Sequence, residues 1–119
     1  MALTDNVAAM TAIANDDGYE NLFLYQLRIH YRPGDRLIAI SVSGNSMNVV
    51  AAAEWVKQRG GIVIGLVEFD GGKLKALCDV LIHVETPKGE YGPVEDVHMV
   101  LDHLIYTWLL SQVLARNNQ

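Results

Sequence analysis

Leu37-Ile38-Ala39-Ile40-Ser41-Val42-Ser43-Gly44-Asn45-Ser46 is the stretch on which the reading of this chain turns. Its first four residues are a continuous apolar run. Its last six form a turn rich in hydroxyls and containing glycine, and a helical pattern begins near Met47. A strand that enters such a turn and then a helix leaves unpaired N–H groups at the helix start. Those groups, the helix dipole and the serine hydroxyls together suit an anion such as phosphate. The same residues also suit an ordinary capping turn, in which Ser, Gly and Asn bend the chain and cap the helix. Both readings stand on these ten residues alone.

Outward from that stretch, helices and strands alternate. Val7 and Met10 mark a helix from Val7 to Ala14, interrupted by the turn-favouring Asn15-Asp16-Asp17-Gly18. Leu3-Thr4 reads as the tail of a strand. A second helix is predicted from Tyr19 to His30, stopped by Pro33-Gly34-Asp35. After the serine-rich turn, Val49, Val50, Ala53 and Val56 recur at helical spacing as far as Arg59, and Gly60-Gly61 closes that helix. Ile62-Val63-Ile64-Gly65-Leu66-Val67 reads as a parallel strand buried on both faces. Asp70-Gly71-Gly72 turns the chain, Lys73–Leu77 is a short helical segment, and Val80–Val84 is the next strand. A loop over Glu85–Pro93 leads to a final helix from Val94 to Arg116, with Val97, Leu101, Leu104, Ile105, Trp108 and Leu109 expected inward.

Strands alternating with helices imply right-handed crossovers and a parallel sheet, hence an α/β three-layer sandwich in one domain. Ligands in such sheets sit beyond the carboxyl ends of the strands, where Ser41–Ser46 falls. Only three complete strands are legible. The strand Leu37–Ser41 reads as central, yet nothing earlier in the chain supplies it with a neighbour, so its edge calls for further protein or another chain.

Composition narrows the function. The chain has 119 residues, half of them hydrophobic, and carries a net charge of −5 with no basic stretch, which argues against a nucleic-acid partner. No apolar run approaches a membrane span. One cysteine, Cys78, leaves neither a disulfide nor a cysteine cluster for zinc, which fits a soluble protein of a reducing cytoplasm.

Four blocks then make the chain resemble a known family. The run Leu37–Ser46 resembles the phosphate-binding strand and loop of sugar isomerase (SIS) domains. Thr11–Asp16 with Gly18-Tyr19-Glu20, Asp70-Gly71-Gly72-Lys73-Leu74, and Glu95-Asp96-Val97-His98-Met99 with His103 are similar to the phosphoheptose isomerase branch in the same register. The resemblance implies a doubly wound, flavodoxin-like parallel sheet and assembly into dimers or tetramers. It also implies aldose–ketose isomerisation of sedoheptulose 7-phosphate or a similar sugar phosphate, often with bound zinc. Position by position, it implies that Ser41, Val42, Ser43 and Ser46 hold the phosphate and that Asn15 and Asp16 contact the sugar. Glu95 and His103 would serve as catalytic residues and metal ligands.

The chain departs from the family pattern in three ways. Glu95 stands where the family has glutamine, which changes the charge of the site. Val42 stands where it has threonine, leaving only a backbone N–H. The family's Gly-Asn-Gly-Gly-Ser-type loop, and the helix with a further His and Glu, have no counterpart here. Residues 1–119 are therefore expected to be a single SIS domain lacking its N-terminal third and catalytically crippled alone. A different class of reading is a non-catalytic module that senses sugar phosphates or assembles with other proteins.

The chemistry can be weighed without the family. Moving a proton between adjacent carbons needs a base and a group to stabilise the enediolate. Glu95 and His103 are eight positions apart, within about 80° on one helix, and could face one cleft. Alternatively, Glu95 simply sits in a helical first turn and His103 packs. Glu95-x-x-His98 has the spacing of a carboxylate-bridged metal helix but no second copy. His30 and His83 are read as structural, Trp55 and Trp108 as packing or interface residues, and Cys78 has no adjacent base or cation.

Overall fold

A computed structural model describes residues 1–117. They form α1 (Val7–Asp16), a 3-10 turn (Tyr19–Asn21), α2 (Leu22–His30), β1 (Arg36–Ser41) and α3 (Met47–Lys57). β2 (Ile62–Glu68), α4 (Gly72–Lys75), β3 (Val80–Val84) and α5 (Tyr91–Asn117) follow. The strands make one all-parallel sheet in the order β1-β2-β3, with Leu37 opposite Val63 and Gly65 opposite Leu81. The α/β class and the parallel sheet are those expected. The residues fall into two compact units, Met1–Glu85 and one from Thr86 onward.

In the first unit, side-chain alternation along the strands divides the sheet into two faces. Ala39, Val63 and Val67 point to one face and meet Leu27 of α2, Ala52, Ala53 and Val56 of α3, and Leu74 of α4. Val56, Val63, Val67 and Leu74 are completely buried, so this side holds the core of the unit. Ile38 and Ile40 point the opposite way and remain 53% and 55% exposed. β1 pairs only with β2 among the described residues, so its other edge is open there.

Asp79 clamps the entry to β2. Its carboxylate accepts from Lys57 Nζ of α3 at 2.5 Å and from the Val63 N–H at 2.8 Å, while its own N–H donates to the Val63 carbonyl. The Lys57 hydrogen bond, chiefly, holds the Asp79 carboxyl below the usual carboxylate range, with the Val63 bond adding to it. At the far end of β2, Phe69 adopts φ 49°, and His83 Nε2–H donates to its carbonyl at 2.8 Å. His83 thus has the structural role expected of it.

Several boundaries differ from expectation, each for a local reason. Leu3-Thr4 forms a turn, not a strand tail, although Leu3 does pack on the core. α1 continues through Asn15 and Asp16, because Asn6 caps its start and the Asp17 N–H still reaches the Ile13 carbonyl at 2.9 Å. The chain leaves the helical region fully only at Gly18, whose φ is 92°. α5 begins at Tyr91, before Pro93, since a proline in a first turn removes only an N–H that has no helical partner. The stripe expected inward on α5 is largely exposed, with Leu104 at 60% and Trp108 at 62%. Helical spacing identifies an apolar stripe without stating what covers it, and only Val94 of this helix is buried. No described helix is long and apolar enough to cross a membrane.

Candidate functional site

β1 delivers Ser41 to the carboxyl edge of the sheet, and after five intervening residues α3 begins. Ser41 is buried and its Oγ lies 3.2 Å from Oγ of the exposed Ser46, so one hydroxyl hydrogen of this pair stays available to an outside acceptor. Between them the loop is tied inward. The Gly44 N–H donates to the Ser41 carbonyl at 3.0 Å, and the Val42 carbonyl accepts from the Glu68 N–H of β2 at 3.0 Å. The Asn45 N–H donates to Ser43 Oγ at 3.2 Å. Ser46 occupies the N-cap of α3 but makes no side-chain capping bond. Its carbonyl accepts from the Val49 and Val50 N–H groups, and the earlier N–H groups of the helix point out of its end. Serine hydroxyls, backbone N–H groups and a helix start therefore converge over six residues with no formal charge.

Gly44 is required by the way the loop docks. Its φ is 63°, and a Cβ there would lie 1.9 Å from the Gly71 carbonyl oxygen. The Gly44 carbonyl accepts from the Leu74 N–H at 2.9 Å, joining the loop to the first turn of α4. Asp70 Oδ1 in turn accepts from the Gly72 N–H at 3.0 Å and fixes that turn.

Beside the loop lies an open cleft of about 670 Å3, lined by Ser46, Met47, Asn48 and Val49 on one side and by Tyr19, Glu20 and Phe23 on the other. Tyr19 is exposed, and the Glu20 carboxylate folds back against Gly18.

The other residues expected at the site are placed elsewhere. Asn15 and Asp16 lie in the last turn of α1, exposed and bonded to each other through Asn15 Nδ2 and Asp16 Oδ1 at 2.7 Å. They are not among the residues lining the cleft. Glu95 and His103 lie on α5, both exposed and about 12 Å apart along its axis by helical rise. Between them sits His98, half-buried, its Nε2 without a hydrogen-bond partner among the described residues. Burial pushes the His98 pKa down, and the charge of Glu95 partly opposes this. No three His, Cys, Asp or Glu side chains gather closely enough to hold a metal ion among the described residues. Glu95 and His103 are donors of a suitable kind, but two ligands do not complete a zinc site. Cys78, whose thiol pKa is raised by burial and by Asp79, offers nothing reactive.

Comparison with known proteins gives this geometry its family. The SIS domain model matches residues 1–68. The chain belongs to the SIS family. Among its relatives, the phosphoheptose isomerase of Aneurinibacillus thermoaerophilus is 42% identical over 117 residues, covering 98% of this chain and 58% of that protein. The Rhodospirillum rubrum phosphoheptose isomerase is 42% identical over 105 residues, covering 88% of this chain and 55% of its own length. The solved phosphoheptose isomerase of Neisseria gonorrhoeae superposes with a TM-score of 0.81 at 40% identity, covering 87% of this chain and 58% of that one. The enzyme from Francisella tularensis gives 0.77 at 28% identity, with 87% and 55% covered. This SIS chain thus spans little more than half the length of the relatives it matches.

Sequence reasoning did not single out Tyr19 and Glu20, which line the cleft opposite Ser46. Both residues stood within a block that carried the resemblance. The polar Tyr19-Glu20-Asn21 ahead of the apolar Leu22-Phe23 was the available signal. Nothing local in the sequence says that this start lies across from Ser46.

Proposed function

We propose that this chain is the phosphosugar-binding portion of an aldose–ketose isomerase related to phosphoheptose isomerase, acting on sedoheptulose 7-phosphate or a similar sugar phosphate. The observation that carries the proposal is the uncharged loop Ser41–Ser46, set at the carboxyl end of β1, whose last residue, Ser46, lines the cleft. Ser43 and one hydroxyl of the bonded Ser41–Ser46 pair donate hydrogens to phosphate oxygens, and the backbone N–H of Val42 replaces a missing hydroxyl. Each such charge-assisted hydrogen bond contributes about 1.5–3 kcal/mol. The sugar chain extends along the cleft toward Glu20 and Tyr19, with Asn15 and Asp16 as further sugar contacts. Relatives named as phosphoheptose isomerases favour this reading over a purely sensing or assembly module.

Isomerisation moves a proton from one carbon to its neighbour through an enediolate. Glu95 is the carboxylate proposed to take and return it, and His103 the group that shuttles a proton to or from the carbonyl oxygen. Zinc, where bound, would polarise that carbonyl, with Glu95 and His103 among its ligands. No three such donors gather among the described residues, so no step is assigned to the metal. The reading is of a cytoplasmic, homo-oligomeric SIS protein that binds a sugar phosphate.

Calorimetric titration of sedoheptulose 7-phosphate into wild type and Ser43→Ala tests the cradle. Loss of one such bond should weaken binding about 10- to 100-fold, and an unchanged affinity removes the loop from the site. For the metal, zinc content of wild type against His103→Ala should fall in the variant. Equal content in both would reduce His103 to a surface residue.

A further inference from the structure

Asn45 would be expected to serve the helix it precedes, since Asn next to a helix start ordinarily bonds a nearby N–H. It does something else. Its Oδ1 accepts from the N–H of Lys73, 28 residues away in α4, at 3.2 Å, while its Nδ2 donates to the Ser43 carbonyl at 2.9 Å. Its own backbone N–H donates to Ser43 Oγ at 3.2 Å. Three bonds from one residue thus bear on Ser43 and on the turn Asp70-Gly71-Gly72 that ends in α4.

Two consequences follow from donor and acceptor accounting. With Ser43 Oγ already accepting from the Asn45 backbone N–H, which the two side-chain bonds of Asn45 hold in place, the hydroxyl's hydrogen is left to donate, the state a phosphate oxygen needs from it. With the Ser43 carbonyl engaged by Nδ2, that electronegative oxygen is held by the brace and kept from an incoming anion. The fit is tight enough to demand glycine opposite. A Cβ on Gly72, whose φ is 51°, would lie 2.4 Å from the Ser43 carbonyl oxygen and 2.5 Å from Asn45 Nδ2. The Asp-Gly-Gly turn therefore acts as the seat of the brace as well as a bend between β2 and α4.

We propose that Asn45, seated on the Gly71-Gly72 turn, is a positioning residue that sets the phosphate-donating orientation of Ser43. It rests on the phosphosugar reading above and adds to it a residue that touches no ligand. The chemistry it serves is phosphoryl-oxygen recognition, so inorganic phosphate is a sufficient probe.

The experiment measures inorganic phosphate affinity of the full 119-residue chain for wild type, Ser43→Ala, Asn45→Ala, Gly72→Ala and the Ser43→Ala/Asn45→Ala double variant, each checked for folding by its thermal melt. Asn45→Ala, which keeps that backbone N–H but removes both side-chain bonds that seat it, and Gly72→Ala, which displaces the same contact, should each weaken phosphate about tenfold, as for one hydrogen bond no longer oriented. The double variant should bind within about threefold of Ser43→Ala alone, because a residue acting through Ser43 has nothing to position once that hydroxyl is gone. A merely structural role would leave the two losses multiplying. Gly72→Ala approaches the same contact from the α4 side and serves if Asn45→Ala fails to fold. Wild-type affinity in Asn45→Ala and Gly72→Ala beside a weakened Ser43→Ala overturns the brace alone, as does a fully multiplicative double variant. Wild-type affinity in Ser43→Ala overturns the phosphate loop, and the brace with it.

Discussion

Replacing Gly44 with alanine tests whether the serine loop is docked on the α4 turn as the backbone distances require. Two costs add. Alanine held at a φ of 63° gives up about 1–2 kcal/mol against the right-handed or extended conformations it prefers. The new Cβ would also sit 1.9 Å from the Gly71 carbonyl oxygen, so loop and turn must part by about 1.5 Å to reach normal contact. A movement of that size breaks the Leu74 N–H to Gly44 carbonyl bond, now 2.9 Å, at a net loss of about 1 kcal/mol. The sum is about 2–3 kcal/mol, a large share of the ~5–15 kcal/mol that holds a domain folded.

Gly60→Ala is the control. Gly60 has a similar φ of 71°, but a Cβ there meets nothing within 4 Å, so it carries the conformational cost alone. Urea unfolding followed by far-ultraviolet circular dichroism should place Gly44→Ala at least 1 kcal/mol below Gly60→Ala. Phosphate affinity should fall in the first variant and hold in the second. If the two variants unfold within about 0.5 kcal/mol of each other, the loop is not docked on that turn, and the rigidity assigned to the cradle is wrong.

Two further outcomes are expected. The Asp79 carboxyl titrates below its unfolded value, so its stabilising effect is present above the ordinary carboxylate pKa of about 3.9 and is lost as pH falls through the folded value. The gap in urea midpoint between wild type and Asp79→Asn should therefore narrow from pH 7 to pH 3; a gap independent of pH contradicts the Lys57–Asp79 assignment. The exposed apolar stripe of α5 should place the chain in an oligomer by light scattering, and Leu104→Lys with Trp108→Lys should shift it toward the monomer. An unchanged mass in the double variant would show that this stripe is not the contact.

What could be read from the sequence, and what could not, divides along the range of the interactions involved. The runs Leu37–Ile40, Ile62–Val67 and Val80–Val84 announce strands because β-branched and apolar residues follow one another between turn signals. The helices between them then force a parallel sheet. Ser41–Ser46 announces a polar turn at a strand end because hydroxyls and a glycine sit where a helix must start. All of that is local. The left-handed φ of Phe69 was not legible, since phenylalanine has no preference for it and its carbonyl is held by His83, 14 residues away. The continuation of α1 through Asn15 and Asp16 was not legible either, because their turn preference is weaker than an intact i to i−4 bond.

The same division runs through the site itself. Gly44, Asn45 and Gly72 each look like generic turn residues in sequence, and each is specific only because two turns 28 residues apart meet. A chain with a net charge of −5 has no basic cluster to advertise an anion site, and none is needed. The donors are hydroxyls and backbone N–H groups, which are too common in sequence to signal anything until the backbone aims them together. Binding by such neutral donors depends on orientation more than on charge. In the proposed phosphate site, the residues that fix the orientation, Gly44 and Asn45, should therefore matter to affinity nearly as much as Ser43, the proposed contact.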